Sequence, residues 1–165
     1  MKLGLFLLAA GHHAAGWRYP GAESGTENID LVVRMTQAAE RAKFDMVFFG
    51  DRLLTSADAH PSMITRPDPL AMLAALSMVT THVGLVATAS TTYSEPFNLA
   101  RTLATVDKLS HGRAAWNIVT TFADGSVNFS RSRHPEHAER YAIAEEFVAV
   151  VKGLWRSWDP DPYVQ

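Results

Sequence analysis

The sequence predicts an α/β protein in which strands and helices alternate around a parallel sheet. Short, nearly continuous apolar runs are separated by segments whose apolar residues recur at helical spacing. Successive runs begin about 30–45 residues apart, the size of a βαβ unit. Parallel strands covered by helices lack polar-out alternation, so we interpret the runs as such strands. They are residues 2–8, 46–50, 83–89 and 114–120.

Four helices are predicted to follow these strands. Asp68 and Pro69 open the second, as a capping side chain followed by proline at the first helical position. Ser94 is expected to cap the third, and Gly112 to end it in a left-handed conformation. The first and fourth helices are predicted from apolar stripes. These stripes are Leu31, Val32, Met35, Ala38, Ala39 and Ala42, and then Tyr141, Ala144, Val148, Val151, Trp155 and Trp158, with Pro160 just beyond.

Two architectures fit this order of elements. One is an open doubly wound sheet, complete at this length; the other is a (β/α)₈ barrel, which needs about 250 residues, so that four units would be its N-terminal half. Periodicity leaves both open. The first apolar run is followed by Ala-Ala-Gly-His-His-Ala-Ala-Gly-Trp-Arg, without the G-x-G-x-x-G spacing of a dinucleotide-binding turn.

The composition limits which partners and which cysteine chemistry the chain can have. The formal charge is −2 and the basic residues are scattered, so we expect no nucleic-acid partner. The absence of cysteine excludes disulfides, thiolate metal sites and a cysteine nucleophile. The first apolar run resembles a short signal peptide as well as a buried strand. We interpret it as a strand and expect a cytoplasmic protein without a membrane partner, since no run approaches membrane-spanning length.

The candidate site lies after the strands, because ligands bind outside the carboxyl ends of parallel strands in both architectures. The side chains there are mostly neutral hydrogen-bonding groups with one carboxylate. That set suits a planar heteroaromatic ring, and it suits a metal ion poorly. Each residue also has a structural explanation as a turn cap, a strand residue or a solvated histidine. The set is His12, His13, Asp51, Thr88, Ser90, Asn117, Thr120 and Thr121.

A second candidate region is the start of the fourth helix. His137 and Tyr141 stand one helical turn apart there. A helix N-terminus offers free N–H groups and the positive end of a dipole, which together favour the phosphate of a cofactor.

Five stretches of the chain together resemble a known family. They are residues 13–18, 39–51, 87–97 and 109–120, and the segment 137–158 that begins His-Ala-Glu-Arg-Tyr. In this order they resemble the luciferase-like flavin-dependent monooxygenases, in the branch with nitrilotriacetate monooxygenase, pristinamycin synthase and dibenzothiophene-sulfone monooxygenase. The Trp-Arg pair and the Gly-Arg-Ala-Ala-Trp-Asn-Ile-Val-Thr stretch favour this branch over deazaflavin-dependent oxidoreductases of the same superfamily.

The resemblance implies a (β/α)₈ barrel that uses reduced FMN, supplied by a separate NAD(P)H:flavin reductase, and O₂ to oxygenate a small organic substrate. Carried over residue by residue, the flavin contacts fall on Asp51, Thr88, His137 and Tyr141, and no catalytic residue is assigned. Four strands of such a barrel leave two open sheet edges, which favour association, so we also expect a homo-oligomer. Family members are more than twice as long, so we expect residues 1–165 to be a single, incomplete luciferase-like monooxygenase domain. A non-catalytic flavin-binding or dimerisation module is the alternative from a different class.

Overall fold

The computed structural model describes residues 1–8, 11–13, 15–23, 28–56, 59 and 66–157. Its strands are β1 (Gly4–Phe6), β2 (Met46–Phe49), β3 (Gly84–Ser90) and β4 (Ala114–Val119). All neighbours pair in parallel in one sheet of order β1-β2-β3-β4. This sequential order is that of consecutive barrel units, and it excludes the reversal in strand order of a doubly wound sheet.

Helices follow the strands as predicted. They are α1 (Ile29–Arg41), α2 (Pro69–Ser77), α3 (Pro96–Leu109) and α4 (His137–Arg156), with 3₁₀ turns at Gly16–Arg18 and Ser126–Asn128. Asn28 caps α1 by accepting a hydrogen bond from the Leu31 amide. Asp68 caps α2 in the same way through the Ala71 amide, with Pro69 at the first helical position, so that predicted start is confirmed.

The start and end of α3 differ from the prediction. Ser94 is not its cap: the N-cap is Glu95, whose side chain makes no capping hydrogen bond. Pro96 disfavours helical backbone at the residue before it, and Glu95 is accordingly extended. Gly112 does have a left-handed backbone (φ 82°), but His111 (φ 56°) is the first left-handed residue after the helix.

The buried face of α4 is rotated from the predicted stripe. Ala144 and Val151 are buried as predicted, but Phe147 lies between them in the core, and Tyr141 is 58% exposed. Trp155 is partly exposed, and its indole N–H donates to the Ala100 carbonyl. The core-facing side of α4 is set by Phe147, which packs against Trp116 of β4, so it lies beside the predicted stripe. Trp158 and Pro160 lie outside the described residues.

One face of the sheet carries the helices. Side chains of alternate strand residues form the core with apolar residues of all four helices. The strand members are Leu5, Val47, Phe49, Leu85, Ala87, Ala89, Ala114 and Trp116, and Leu7 joins them just after β1. The opposite face would line a barrel. Within the described part of the chain it is partly open, with Phe6 and Met46 36% and 39% exposed.

Two charged side chains hold the amino-terminal end of the sheet. Glu40 at the end of α1 accepts hydrogen bonds from the amides of three consecutive residues before β3, Thr81, His82 and Val83. Burial of Glu40 acts to raise its pKa, but the three amides outweigh it and the pKa lies below its ordinary value. The Arg113 guanidinium binds four carbonyl oxygens, those of Ser77, Thr80, Val83 and Ser110.

Among the described residues, no helix combines the length and apolar character needed to cross a membrane.

Candidate active site

The carboxyl end of β3 and that of β4 are joined on the open face by a pair of polar side chains. Thr88 and Asn117 are register partners, and Asn117 Nδ2 donates a hydrogen bond of 2.9 Å to Thr88 Oγ1. Thr88 is buried and Asn117 is half-buried. Within the described residues, no donor reaches Asn117 Oδ1. The pair therefore presents one hydroxyl that can donate and one carbonyl that can accept.

A second layer of polar contacts lies just beyond this pair. Thr121 Oγ1 donates to Ser90 Oγ at 2.6 Å, and Thr92 Oγ1 donates to the Thr120 carbonyl at 2.6 Å. Thr121 has a left-handed backbone (φ 51°), which is strained for a β-branched residue. Such strain persists only where surrounding contacts hold it, and the two hydrogen bonds provide them. The next side chain, Phe122, is 92% exposed.

Asp51 follows β2 at the same end of the sheet. Its Oδ1 accepts a hydrogen bond of 2.7 Å from the Arg52 amide. Burial raises the pKa of Asp51 above its ordinary value, and repulsion by Asp68 adds to this, while the Arg52 amide and the Arg66 charge oppose it. The half-buried Asp51 carboxyl thus interacts with Arg52, Arg66 and Asp68, and among the described residues it forms no hydrogen bond with Thr88 or Asn117.

The two histidines after β1 make local contacts. His12 lies edge-on to the Phe6 ring, 4.8 Å between centroids, with Nε2 3.4 Å from the Phe6 carbonyl oxygen. His13 Nδ1 accepts the Ala15 amide at 3.1 Å. Gly50, after β2, lies against the same ring: a Cβ there would stand 2.9 Å from Phe6 Cζ and 3.1 Å from an Arg66 nitrogen. The Phe6 ring therefore packs against both His12 and Gly50.

His137 and Tyr141 are brought together as the helical spacing predicted. Their ring centroids are 4.9 Å apart, and both side chains are exposed. The helix terminus itself is not an open anion site, because Glu136 and Glu139 form a capping box there. Glu139 also pairs with Arg133, which lowers the pKa of the Glu139 carboxyl. Two carboxylates at this position oppose the phosphate contact expected from the helix dipole alone.

Sequence reasoning missed a partly buried polar cluster between β3 and α4. The Tyr93 hydroxyl lies 2.6 Å from His134 Nδ1, and Arg140 NH1 lies 3.1 Å from His134 Nε2. The Gly125 amide donates to the same Tyr93 oxygen at 2.9 Å, and Tyr93 stacks on Phe129. Tyr93 and His134 are 41 residues apart. Only the pairing of β3 with β4 suggests that the segments after these strands meet.

The fold and the site together define four consecutive units of an α/β barrel, with neutral polar side chains at the carboxyl ends of its last two strands. The family model described as luciferase-like monooxygenase matches residues 1–163. The chain belongs to this family of flavin-dependent enzymes, as the five sequence stretches implied.

The chain is similar to named monooxygenases and to a flavin-containing structure. It is 49% identical to N-acetyl-S-(2-succino)cysteine monooxygenase of Bacillus subtilis strain 168, covering 100% of this chain and 38% of that protein. It is 41% identical to nitrilotriacetate monooxygenase component A of Aminobacter aminovorans, covering 100% and 40%. The structure of riboflavin lyase with modified FMN and riboflavin superposes with a TM-score of 0.85 at 31% identity, covering 98% and 39%. The chain thus spans about two fifths of the length of the curated relatives it matches.

Proposed function

We propose that this chain forms part of an FMN-dependent monooxygenase that inserts one oxygen atom of O₂ into a small organic substrate. The family assignment over residues 1–163 carries this proposal. We propose Asp51, Thr88, His137 and Tyr141 as flavin contacts, as the family resemblance implies. Bound reduced flavin would supply the electrons for oxygen activation, and the residues of this chain would bind and orient the ring.

The chemistry of the Thr88–Asn117 pair fits a flavin ring. The pyrimidine edge of a flavin alternates carbonyl oxygens with an N–H group. The Thr88 hydroxyl can donate to such a carbonyl, while Asn117 Oδ1 can accept from such an N–H. Neither group carries charge, so the site can hold a neutral ring without leaving a buried ion unpaired. Ser90 and Thr121 extend this neutral lining.

The partners follow from the same proposal. Nitrilotriacetate monooxygenase component A is by its name one component of a larger system, which supports supply of FMNH₂ by a separate NAD(P)H:flavin reductase. We place the reaction in the cytoplasm, where NAD(P)H is available. For the 165-residue chain on its own we also propose a homo-oligomer, because the described sheet leaves the outer edges of β1 and β4 without a partner strand.

Flavin binding by this chain is the direct test. The chain is titrated with reduced FMN under anaerobic conditions and then mixed with oxygen, NADH, a flavin reductase and candidate substrates. We expect saturable FMN binding, which the Thr88→Val substitution weakens. We expect only a small amount of oxygenated substrate from this chain, and continued oxygenation should require the reductase to renew the reduced FMN. Absence of FMN binding by a folded wild-type chain would overturn the proposal, and FMN binding without any oxygenation in the presence of the reductase and all candidate substrates would favour the non-catalytic module.

A further inference from the structure

We propose that Tyr93, His134 and Arg140 form a positioning relay that fixes the direction of His137 and Tyr141 at the start of α4. This inference deepens the proposed function, since His137 and Tyr141 are proposed flavin contacts. It rests on the partly buried hydrogen bonds between these three side chains, which link the segment after β3 to the first turn of α4.

The hydrogen bonds define the protonation of the relay. Arginine can only donate, so His134 Nε2 accepts the bond from Arg140 NH1 at 3.1 Å. In the neutral imidazole Nδ1 then carries the proton and donates to Tyr93 Oη at 2.6 Å. Tyr93 Oη accepts a second bond from the Gly125 amide at 2.9 Å. The three side chains thus form one directed chain that runs from the helix to the strand end.

The strand end of the relay is rigid. Tyr93 is 7% exposed and stacks on Phe129, with 4.7 Å between centroids. The preceding residues are held to β4, because the Thr91 amide donates to the Val119 carbonyl and Thr92 Oγ1 to the Thr120 carbonyl. Tyr93 Oη is therefore a fixed point on the sheet.

The helix end of the relay controls rotation of α4. Arg140 lies three residues after His137 and directly before Tyr141. Its NH1 group also donates to the Pro135 carbonyl at 2.8 Å, which holds the segment entering the helix. Residues spaced in this way point in directions fixed by the helix geometry. Anchoring Arg140 therefore sets where the paired rings of His137 and Tyr141 point.

The relay is tested first without flavin. NMR signals of the His137 and Tyr141 rings report their mutual contact at 4.9 Å. Tyr93→Phe removes the hydroxyl, while Tyr19→Phe is a matched control at an exposed ring outside the relay. We expect Tyr93→Phe to shift both ring signals and Tyr19→Phe to leave them unchanged, with circular dichroism unaltered in both variants.

Two substitutions of His134 are each designed to remove one of its two hydrogen bonds and keep the other. Asparagine can keep a donor near the Nδ1 position, and glutamine can keep an acceptor near Nε2, so each retains one link. We expect both variants to shift the ring signals, and Tyr93→Phe to raise the Kd for FMN about tenfold, equivalent to one or two hydrogen bonds. If the three side chains act as one unit, the double variant Tyr93→Phe/Arg140→Gln should raise the Kd for FMN little more than either single variant does.

The outcomes separate this inference from the proposed function. If the wild-type chain binds FMN, but the Tyr93 and His134 variants keep wild-type ring signals and affinity, the relay is overturned and the proposed function stands. If the ring signals shift without any change in FMN affinity, the cofactor role of the relay is wrong. If the wild-type chain does not bind FMN, the proposed function fails and the flavin-positioning role fails with it.

Discussion

Asn117 donates a hydrogen bond of 2.9 Å to Thr88 across the boundary between β4 and β3, on the face of the sheet opposite the helices. The two residues are register partners, so parallel pairing alone brings them together. The Thr88 hydroxyl can still donate its own proton, and Asn117 Oδ1 can still accept a hydrogen bond. This pair connects the stability of the sheet to the proposed flavin site.

Replacing Thr88 by valine tests that connection. The change preserves shape but leaves the Asn117 amide without its acceptor, and an unsatisfied group of this kind costs about 1–3 kcal/mol. We expect a loss of stability in this range by urea denaturation, together with weaker FMN binding. The matched Thr102→Val change removes an exposed hydroxyl on α3 and is expected to cost less than about 0.5 kcal/mol. Equal losses in the two variants would contradict a special role for Thr88.

Glu40 is expected to make stability depend on pH. Its folded-state pKa lies below the ordinary value of 4.5, so its contribution is complete above that value and is lost as the pH falls through the folded pKa. Glu40→Gln should cost about 1–2 kcal/mol near pH 7, because the amides lose a charged acceptor. The difference from wild type should shrink as the pH falls below 4.5. Glu146→Gln on the exposed side of α4 is the control and should change stability near pH 7 by less than about 0.5 kcal/mol.

Arg113 should not tolerate lysine. Its planar group bonds four carbonyl oxygens and the Thr80 hydroxyl, which a single ammonium cannot reproduce. We expect Arg113→Lys to lower the free energy of unfolding by about 2 kcal/mol or more, since several bonds are lost. Arg101→Lys, at an exposed position of α3, should lie within about 0.5 kcal/mol of wild type. Equal stability of the two variants by denaturant titration would show that the hydrogen bonds of the Arg113 guanidinium do not stabilise the fold.

Two glycines should respond to alanine with opposite signs. At Gly50 a Cβ would lie 2.9 Å from Phe6 Cζ, so the ring must move, and we expect a loss of about 1 kcal/mol. At Gly153, within α4, the added Cβ would meet no described atom within 4 Å apart from its chain neighbours and the backbone of its own helix. Alanine there should stabilise the helix by about 0.5–1 kcal/mol. The melting temperatures of both variants test these two signs. A stabilising Gly50→Ala would show that the Phe6 ring is loosely packed against Gly50.

The 165-residue chain is expected to self-associate. Phe6 and Met46 are partly exposed on the open face, and β1 and β4 are edge strands of the described sheet. Light scattering should give an apparent mass that rises with concentration. Met46→Lys should reduce the rise, whereas Met78→Lys, at an exposed position after α2, should not. A concentration-independent monomer mass for wild type would contradict this expectation.

The sequence by itself determined the number and order of the strand–helix units and the family. It could do so because apolar runs, helical spacing and the Asp68–Pro69 start depend on residues close together in the chain. It also placed Thr88 and Asn117 at strand ends, and His137 and Tyr141 on one helix face.

Only the tertiary structure decided which strand-end residues meet. Strand order 1-2-3-4 joins Thr88 to Asn117 and brings Tyr93 within hydrogen-bond distance of His134. Packing also decided the rotation of α4: Phe147 fills the core beside Trp116, while Tyr141 remains exposed. The spacing of residues along the chain does not determine which strand ends meet or which face of α4 is buried, because both depend on the surfaces that distant segments present to each other. The relay from Tyr93 to Arg140 therefore exists only in the folded chain.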